Sequence, residues 1–268
     1  MARLRLSFLY LALLMSGCLD FETGREEMSP IESKIRISTW ENLSAQERTL
    51  TLTCATEKTY GCINYSIVST KTILDDSIMI SFTGIYKPPV CLTALGPAGA
   101  AIDLGSLPSG NYPLSLSANG ETVRAQLVVS DDAYTVNNGE GMWTTFSRSQ
   151  LRRVPDGTIW GLVGYHTTTS AALAQAYLDS VRIVGAQPCS CIPGYYGYYE
   201  IDSTANIQTP GNHGYAFAQS YIYHYGGDPL VVRNLVKRYG KSLGDSLSIS
   251  LFGSHAEAYF SWILQREP

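Results

Sequence analysis

Apolar residues recur with period two over the first half of this chain and with a mixed period over the second. That switch limits the fold to two differently built parts. Arg48–Ala55 (RTLTLTCA) alternates cleanly and puts Leu50, Leu52 and Cys54 on one face. Strand-type runs follow at Tyr60–Val68, Ser77–Ile85 and Ala101–Leu104. Asn111–Ser117 and Glu121–Val129 are joined by Asn119-Gly120, a pair suited to a type I′ hairpin because both central positions need positive φ. Leu114 and Leu116 then face a core beside Val123, Leu127 and Val129. About seven short strands without a helical pattern make residues 34–132 a β-sandwich.

Residues 133–157 read as a connection, and the pattern changes after them. Thr158–His166 is a strand, and Ser170–Val184 places Leu173, Tyr177, Val181 and Val184 on one helical stripe, with Gly185 as stop. Tyr195–Ile201 and Tyr215–Tyr225 are strands. Asp228-Pro229 opens a second helix, Lys237 and Arg238 fill its last turn and Gly240 ends it. Leu247, Ile249 and Leu251 alternate in a final strand, while 255–264 suits either a helix or a strand. The order βαββαβ over residues 158–268 is that of the ferredoxin-like split unit. The stretch 102–129 resembles the last strands of Ig-like or transthyretin-like modules in secreted bacterial proteins, which implies an Ig-like sandwich. The expected class is therefore mixed β and α+β.

The amino terminus sets the compartment. Arg3 and Arg5 precede an apolar run, Leu6–Met15, that is too short to span a bilayer. It ends in Leu14-Met15-Ser16-Gly17-Cys18, which resembles the lipobox of bacterial lipoproteins, with Met15 where Leu is usual. The resemblance implies a signal peptide over 1–17 and lipidation of Cys18, hence a membrane partner through that residue. Leu19 follows Cys18 where the inner-membrane retention signal would place Asp, so a lipid-anchored place in the cell envelope, at the outer membrane, is expected. Residues 18–33 read as an acidic flexible tether. The net charge of −4 includes Arg3 and Arg5, and no Lys/Arg-rich run follows, which excludes nucleic acid as the expected partner.

Besides Cys18 there are Cys54, Cys62, Cys91, Cys189 and Cys191. Five is odd, so one stays unpaired or pairs between chains. Cys54–Cys62 is the natural bridge, flanking a short turn, with Cys91 as the rival partner. Cys189-x-Cys191 suits a tight bridge or one half of a soft-metal site, but four ligands are wanted and no second pair lies near, so neither metal nor cofactor is expected.

Gly244-Asp245-Ser246-Leu247 resembles the block that names the GDSL serine esterases, but it stands 22 residues before Pro268, and no Asp-x-x-His follows. No Gly-x-Ser-x-Gly elbow or phosphate loop is present either. Tyr215, Phe217, Tyr221, Tyr223 and Tyr225 share one strand face by period two. The neighbouring strand adds either Tyr196 and Tyr198 or Tyr195 and Tyr199. The opposite face carries Ala216, Ala218, Ser220, Ile222 and His224. If the helices cover the small residues, the aromatic face is open and binds a glycan or an envelope protein; otherwise the rings pack under the helices or the sandwich. The expected role is a non-catalytic binding or structural one. The rival is a hydrolase whose serine, carboxylate and one of His166, His213, His224 or His255 meet only in space.

Overall fold

A computed structural model describes residues 27–211 and 213–267, without the Asp245 side chain. The signal peptide, Cys18 and the tether as far as residue 26 lie outside the described residues. The fold is β-rich. The first part comprises β1 (Glu27–Ser29), β2 (Ile35–Asn42), β3 (Thr49–Tyr60), β4 (Ser66–Leu74), β5 (Ser77–Lys87), β6 (Gly96–Gly105), β7 (Gly110–Ala118), β8 (Glu121–Val129), β9 (Ala133–Asn137), β10 (Thr144–Phe146) and β11 (Gln150–Arg152). These form one sheet in the order β10-β2-β3-β6-β4-β5-β7-β8-β9-β11, with β1 added to β5. The sheet curls until β11 comes up against β2. Register shifts in β3 and β4 help it bend, because each inserts residues on one side of a ladder. Ile35, Ile37, Leu52, Ile80, Leu114, Leu127 and Leu151 meet in a single core.

The Asn119-Gly120 turn forms as its residue types require, with φ of 46° and 82°. Residues 133–157 are more than a connection, since they supply β9, β10 and β11 to the first sheet.

The second part runs β12 (Thr158–Tyr165), α1 (Ala171–Ile183), β13 (Gln187–Pro188), β14 (Gly194–Tyr195), β15 (Glu200–Ile201), β16 (Phe217–His224), α2 (Pro229–Leu243), β17 (Ser248–Gly253), β18 (Ala258–Phe260) and α3 (Ser261–Leu264). Five strands pair antiparallel in the order β13-β16-β12-β17-β18. The strand expected over 195–201 is instead the separate hairpin β14–β15, and the two-residue β13 takes the edge beside β16. Asp228 caps α2 by accepting from the Leu230 amide, and Pro229 opens the helix, as expected. Gly240 does not end it. It lies inside the helix, where a Cβ would come within 2.8 Å of the Ser261 carbonyl oxygen, so it permits close packing of α3. Among the described residues no helix is long and apolar enough to cross a membrane.

The cysteine pairing differs from the expected Cys54–Cys62 bridge. Cys62 pairs with Cys91 and Cys189 with Cys191, leaving Cys54 as a free, buried thiol. The reason is alternation: Cys54 points into the core with Leu52, and β3 runs on to Tyr60 before Cys62 meets the loop that carries Cys91. Burial pushes its thiol up to about 12. Because the folded value is raised, the thiol stays neutral at pH 8, with a thiolate fraction on the order of 10⁻⁴. Iodoacetamide at pH 8 should therefore leave native Cys54 unlabelled, while denaturant without reductant should expose one thiol beyond Cys18. Peptide mapping should place that label on Cys54; label on Cys62 or Cys91 instead would show that Cys54 is bridged and the pairing described here is wrong.

Candidate ligand pocket at the junction of the two sheets

β12 reads Thr-Ile-Trp-Gly-Leu-Val-Gly-Tyr, and its glycines decide where the large rings go. Gly161 pairs with Tyr221 of β16, and a Cβ there would sit 2.7 Å from the Tyr221 hydroxyl and 1.9 Å from the Ser250 carbonyl oxygen. Tyr221 uses that space, donating its hydroxyl to Ser250 O at 2.9 Å and accepting from Tyr177 of α1 at 3.0 Å. Tyr221, Tyr223 and Tyr225 are buried beneath α1 and α2 with Val181, Val232 and Val236. Burial pushes the Tyr177 and Tyr221 phenols well above their ordinary range, so both remain neutral donors.

Of the two alternatives for β16, the rings pack under the helices and the tyrosine face is not an open surface. Burying a large apolar side chain stabilises by about 2 kcal/mol, whereas alanine and serine offer far less, so the helices cover the rings. Tyr215 lies before the strand, over Gly164, and donates to Ser248 Oγ at 2.7 Å. Phe217 stays exposed and stacks on Tyr165. Tyr196 and Tyr198 are not on that face. They belong to the β14–β15 hairpin, which wedges between the two sheets, Tyr196 buried and Tyr198 partly exposed.

This hairpin is one of two fasteners between the sheets. Trp40 of β2, Tyr198, Trp160 of β12 and Phe252 of β17 make a ladder with centroids 4.6, 5.6 and 6.0 Å apart. Gly197, at φ +84°, turns the chain so that Tyr198 reaches Trp40, and its hydroxyl donates to Glu41 O at 2.8 Å. The second fastener is the Glu41 carboxylate, which is fully buried. It accepts from Arg153 Nε at 3.2 Å, Tyr134 Oη at 3.2 Å and the Val154 amide at 3.0 Å. Burial and the facing Glu41 charge push the Tyr134 phenol up to about 12. Arg48, 3.9 Å from the same carboxylate, reaches on to Val154 O, Asp156 Oδ1 and Ser254 O. Sequence reasoning missed Glu41, although a lone carboxylate at an inward position of Ile35-Arg-Ile-Ser-Thr-Trp-Glu41 was the available signal.

Next to this junction opens a cavity of about 420 Å³, large enough for a small ligand. Ile159, Tyr225, Val232, Leu251 and Tyr259 form its largely apolar body, with Asp156, His224, His255 and Glu257 among its polar groups. Gly157, at φ +70°, lets the chain turn beneath the His224 ring and gives its amide to Ser254 Oγ at 3.0 Å. Thr158 stands in the wall with its buried Oγ1 lacking a hydrogen-bond partner. A second slot of about 250 Å³ lies on the opposite sheet face, lined by Trp160, Tyr198, Phe252 and the unpartnered hydroxyl of buried Tyr199.

Ser254, His255 and Glu257 are the one serine–histidine–carboxylate set the pocket brings together, and their geometry does not make a relay. Ser254 Oγ and Glu257 Oε1 both face the same nitrogen, His255 Nδ1, at 3.5 and 3.8 Å. A relay needs the nucleophile and the orienting carboxylate on opposite nitrogens of the histidine ring. His213 Nδ1 accepts from the Tyr215 amide. Ser246 closes a 3₁₀ turn after α2, away from this cavity. Among the described residues no group of three His, Cys, Asp or Glu side chains could hold a metal ion. No family model, curated protein or solved structure matches the chain.

Neutralising Glu41 as Glu41→Gln should lower stability by about 2–3 kcal/mol in a urea titration, because two half-buried guanidiniums lose their counter-charge. Asp156→Asn, on a side chain that is 83% exposed, should cost under about 0.5 kcal/mol. Equal effects from the two substitutions would show that Glu41 is not the fastener.

Proposed function

We propose that this chain is a lipid-anchored protein of the bacterial cell envelope that binds a small ligand, or one side chain of a partner, without catalysis. The observation that carries the binding role is the 420 Å³ cavity with an apolar body and polar groups confined to a few positions. Tyr225 and Tyr259 offer ring faces, and Asp156 and Glu257 offer acceptors. The matching ligand has an aliphatic or aromatic body and hydrogen-bond donors at one end. A saccharide unit of an envelope glycan and an exposed side chain of an envelope protein both have that form. The geometry at His255 favours binding over hydrolysis, since the serine and the carboxylate compete for one nitrogen.

Two disulfides support an extracytoplasmic location, because such bridges persist in oxidising compartments. The lipobox ending at Cys18 supports the anchor. The finer architecture belongs to the same reading. The curled sheet is an elaborated Ig-like sandwich, and the order β13-β16-β12-β17, with α1 and α2 packed on the Tyr221 face, supports a ferredoxin-like unit.

Gly226 gives a direct test of the pocket. It lines the cavity, its φ is not positive, and a Cβ there meets nothing within 4 Å. Gly226→Phe should fill the cavity and weaken binding of the neutral apolar dye Nile red by about tenfold or more, with little change in Tm. Unchanged dye affinity in a folded variant would remove the pocket from consideration. The anchor is tested separately: Cys18→Ala should leave an unprocessed precursor in bacterial cells, and normal maturation would refute lipidation.

A further inference from the structure

The end of the first sheet where β3 stops and β6 begins carries a group of large apolar side chains in water. Leu95 is 79%, Val90 71%, Leu92 56% and Ile63 52% exposed. Single exposed apolar residues are ordinary, but four on two adjoining loops form a patch. From Pro88 to Ile102 the chain carries no charged residue, and neither does Thr59–Val68.

The patch is also held in shape. Cys62–Cys91 joins the two loops. Asn64 clamps them twice, donating to Val90 O at 2.7 Å and accepting from the Leu92 amide at 3.1 Å, while the Ile63 amide donates to Leu92 O. Behind the patch, half-buried Tyr60 and Tyr65 pack at 5.4 Å, the kind of amphipathic ring that sits well at a membrane–water boundary. The nearby lysines are neutralised in pairs, Lys87 with Glu27 and Lys58 with Glu32.

What faces this patch is indicated by where the chain enters the structure. β1 pairs antiparallel with β5, Glu27 opposite Lys87, so the first described residue of the chain stands beside the start of the exposed loop at Pro88. Eight residues lie between Cys18 and Glu27, and even fully extended the span reaches at most about 30 Å. A lipid on Cys18 would therefore be held within that distance of Glu27, on the strand end that leads into the apolar tip.

We propose that the tip formed by Ile63, Val90, Leu92 and Leu95 inserts into the boundary of the bilayer that holds the Cys18 lipid, giving the protein a second attachment and a fixed orientation. This rests on the lipid-anchor reading above. Insertion draws on apolar burial and not on basic charge, so it should not need anionic lipid.

The test uses the full lipidated chain reconstituted in phosphatidylcholine vesicles whose acyl chains are brominated, with a tryptophan added at either end of the first sheet. Leu95→Trp places it at the tip. Leu74→Trp places it at the β4–β5 turn, at the far end of the same strands, on a side chain that is 63% exposed. After subtraction of the parent spectrum, the Leu95→Trp emission should be blue-shifted and mostly quenched, and that of Leu74→Trp unaffected. Replacing part of the phosphatidylcholine by anionic lipid should leave both unchanged. Protein processed at Cys18 and bound to vesicles, but with Leu95→Trp unquenched, overturns the tip insertion and leaves the anchor standing. Concentration-dependent dimerisation with an unquenched tip overturns it in favour of a second copy as the occupant. An intact mass showing an unprocessed, unlipidated chain overturns the anchor and the insertion together.

Discussion

A carboxylate with no access to solvent holds the two halves of this molecule in one arrangement. Glu41 sits on the inward face of β2, where Ile35, Ile37 and Thr39 precede it, and an unpaired charge there would be severely destabilising. Its partners come from elsewhere: Arg153 and the Val154 amide from the segment leading into β12, Tyr134 from β9 and Arg48 from the start of the β2–β3 ladder. Satisfying Glu41 fixes the path of residues 153–156, and Arg48 carries the link on to Ser254 beyond β17. The aromatic ladder from Trp40 to Phe252 then fills the space the ion cluster has positioned. Such a cluster adds little net stability over a hydrophobic replacement, but it favours one docking geometry over its neighbours. The cluster also touches the pocket at one point: Arg48 holds Asp156, the one lining residue before Gly157, while the second sheet and α2 supply the other walls.

How much of this could be read from the sequence depended on the range of the interaction. The Asn119-Gly120 hairpin, the Asp228-Pro229 helix start and the stripe on α1 are set by neighbours within a few residues, and each forms close to its expected bounds. The short strands β9, β10 and β11 were not legible, because three to five residues carry no period, and β10 finds its partner only in the distant β2. Cys54 shows the opposite case. The alternation that puts it beside Leu52 turns it into the core, and facing outweighs its nearness in sequence to Cys62.

The aromatic stripe makes the same point about faces. Period two correctly grouped Tyr221, Tyr223 and Tyr225, but it could not say which side the helices would cover. The deciding residue stood on another strand: Gly161 in β12 is empty where the Tyr221 hydroxyl needs room. A tyrosine face also needs its hydroxyls satisfied before it can be buried. Tyr177, Tyr221 and the Ser250 carbonyl settle that in a short chain of hydrogen bonds, and Ser180 with Tyr239 forms another. The open space lies instead at the end of the same sheet, where β12, β16 and β17 leave a gap before α2.

The two ends of β3 give the proposed reading a direction. Thr49 begins this strand beside Arg48 and the junction, and Tyr60 ends it beside Cys62 and the apolar tip. At about 3.3 Å per residue, twelve residues of strand separate the two by roughly 40 Å. If the tip and the Cys18 lipid share the membrane boundary, the first sheet acts as a spacer and the pocket stands clear of the headgroups. A flexible tether alone would let the pocket sample every orientation, including ones in which the bilayer blocks it. A second contact at the tip removes that freedom, and the rigid junction at Glu41 passes the resulting orientation on to the pocket.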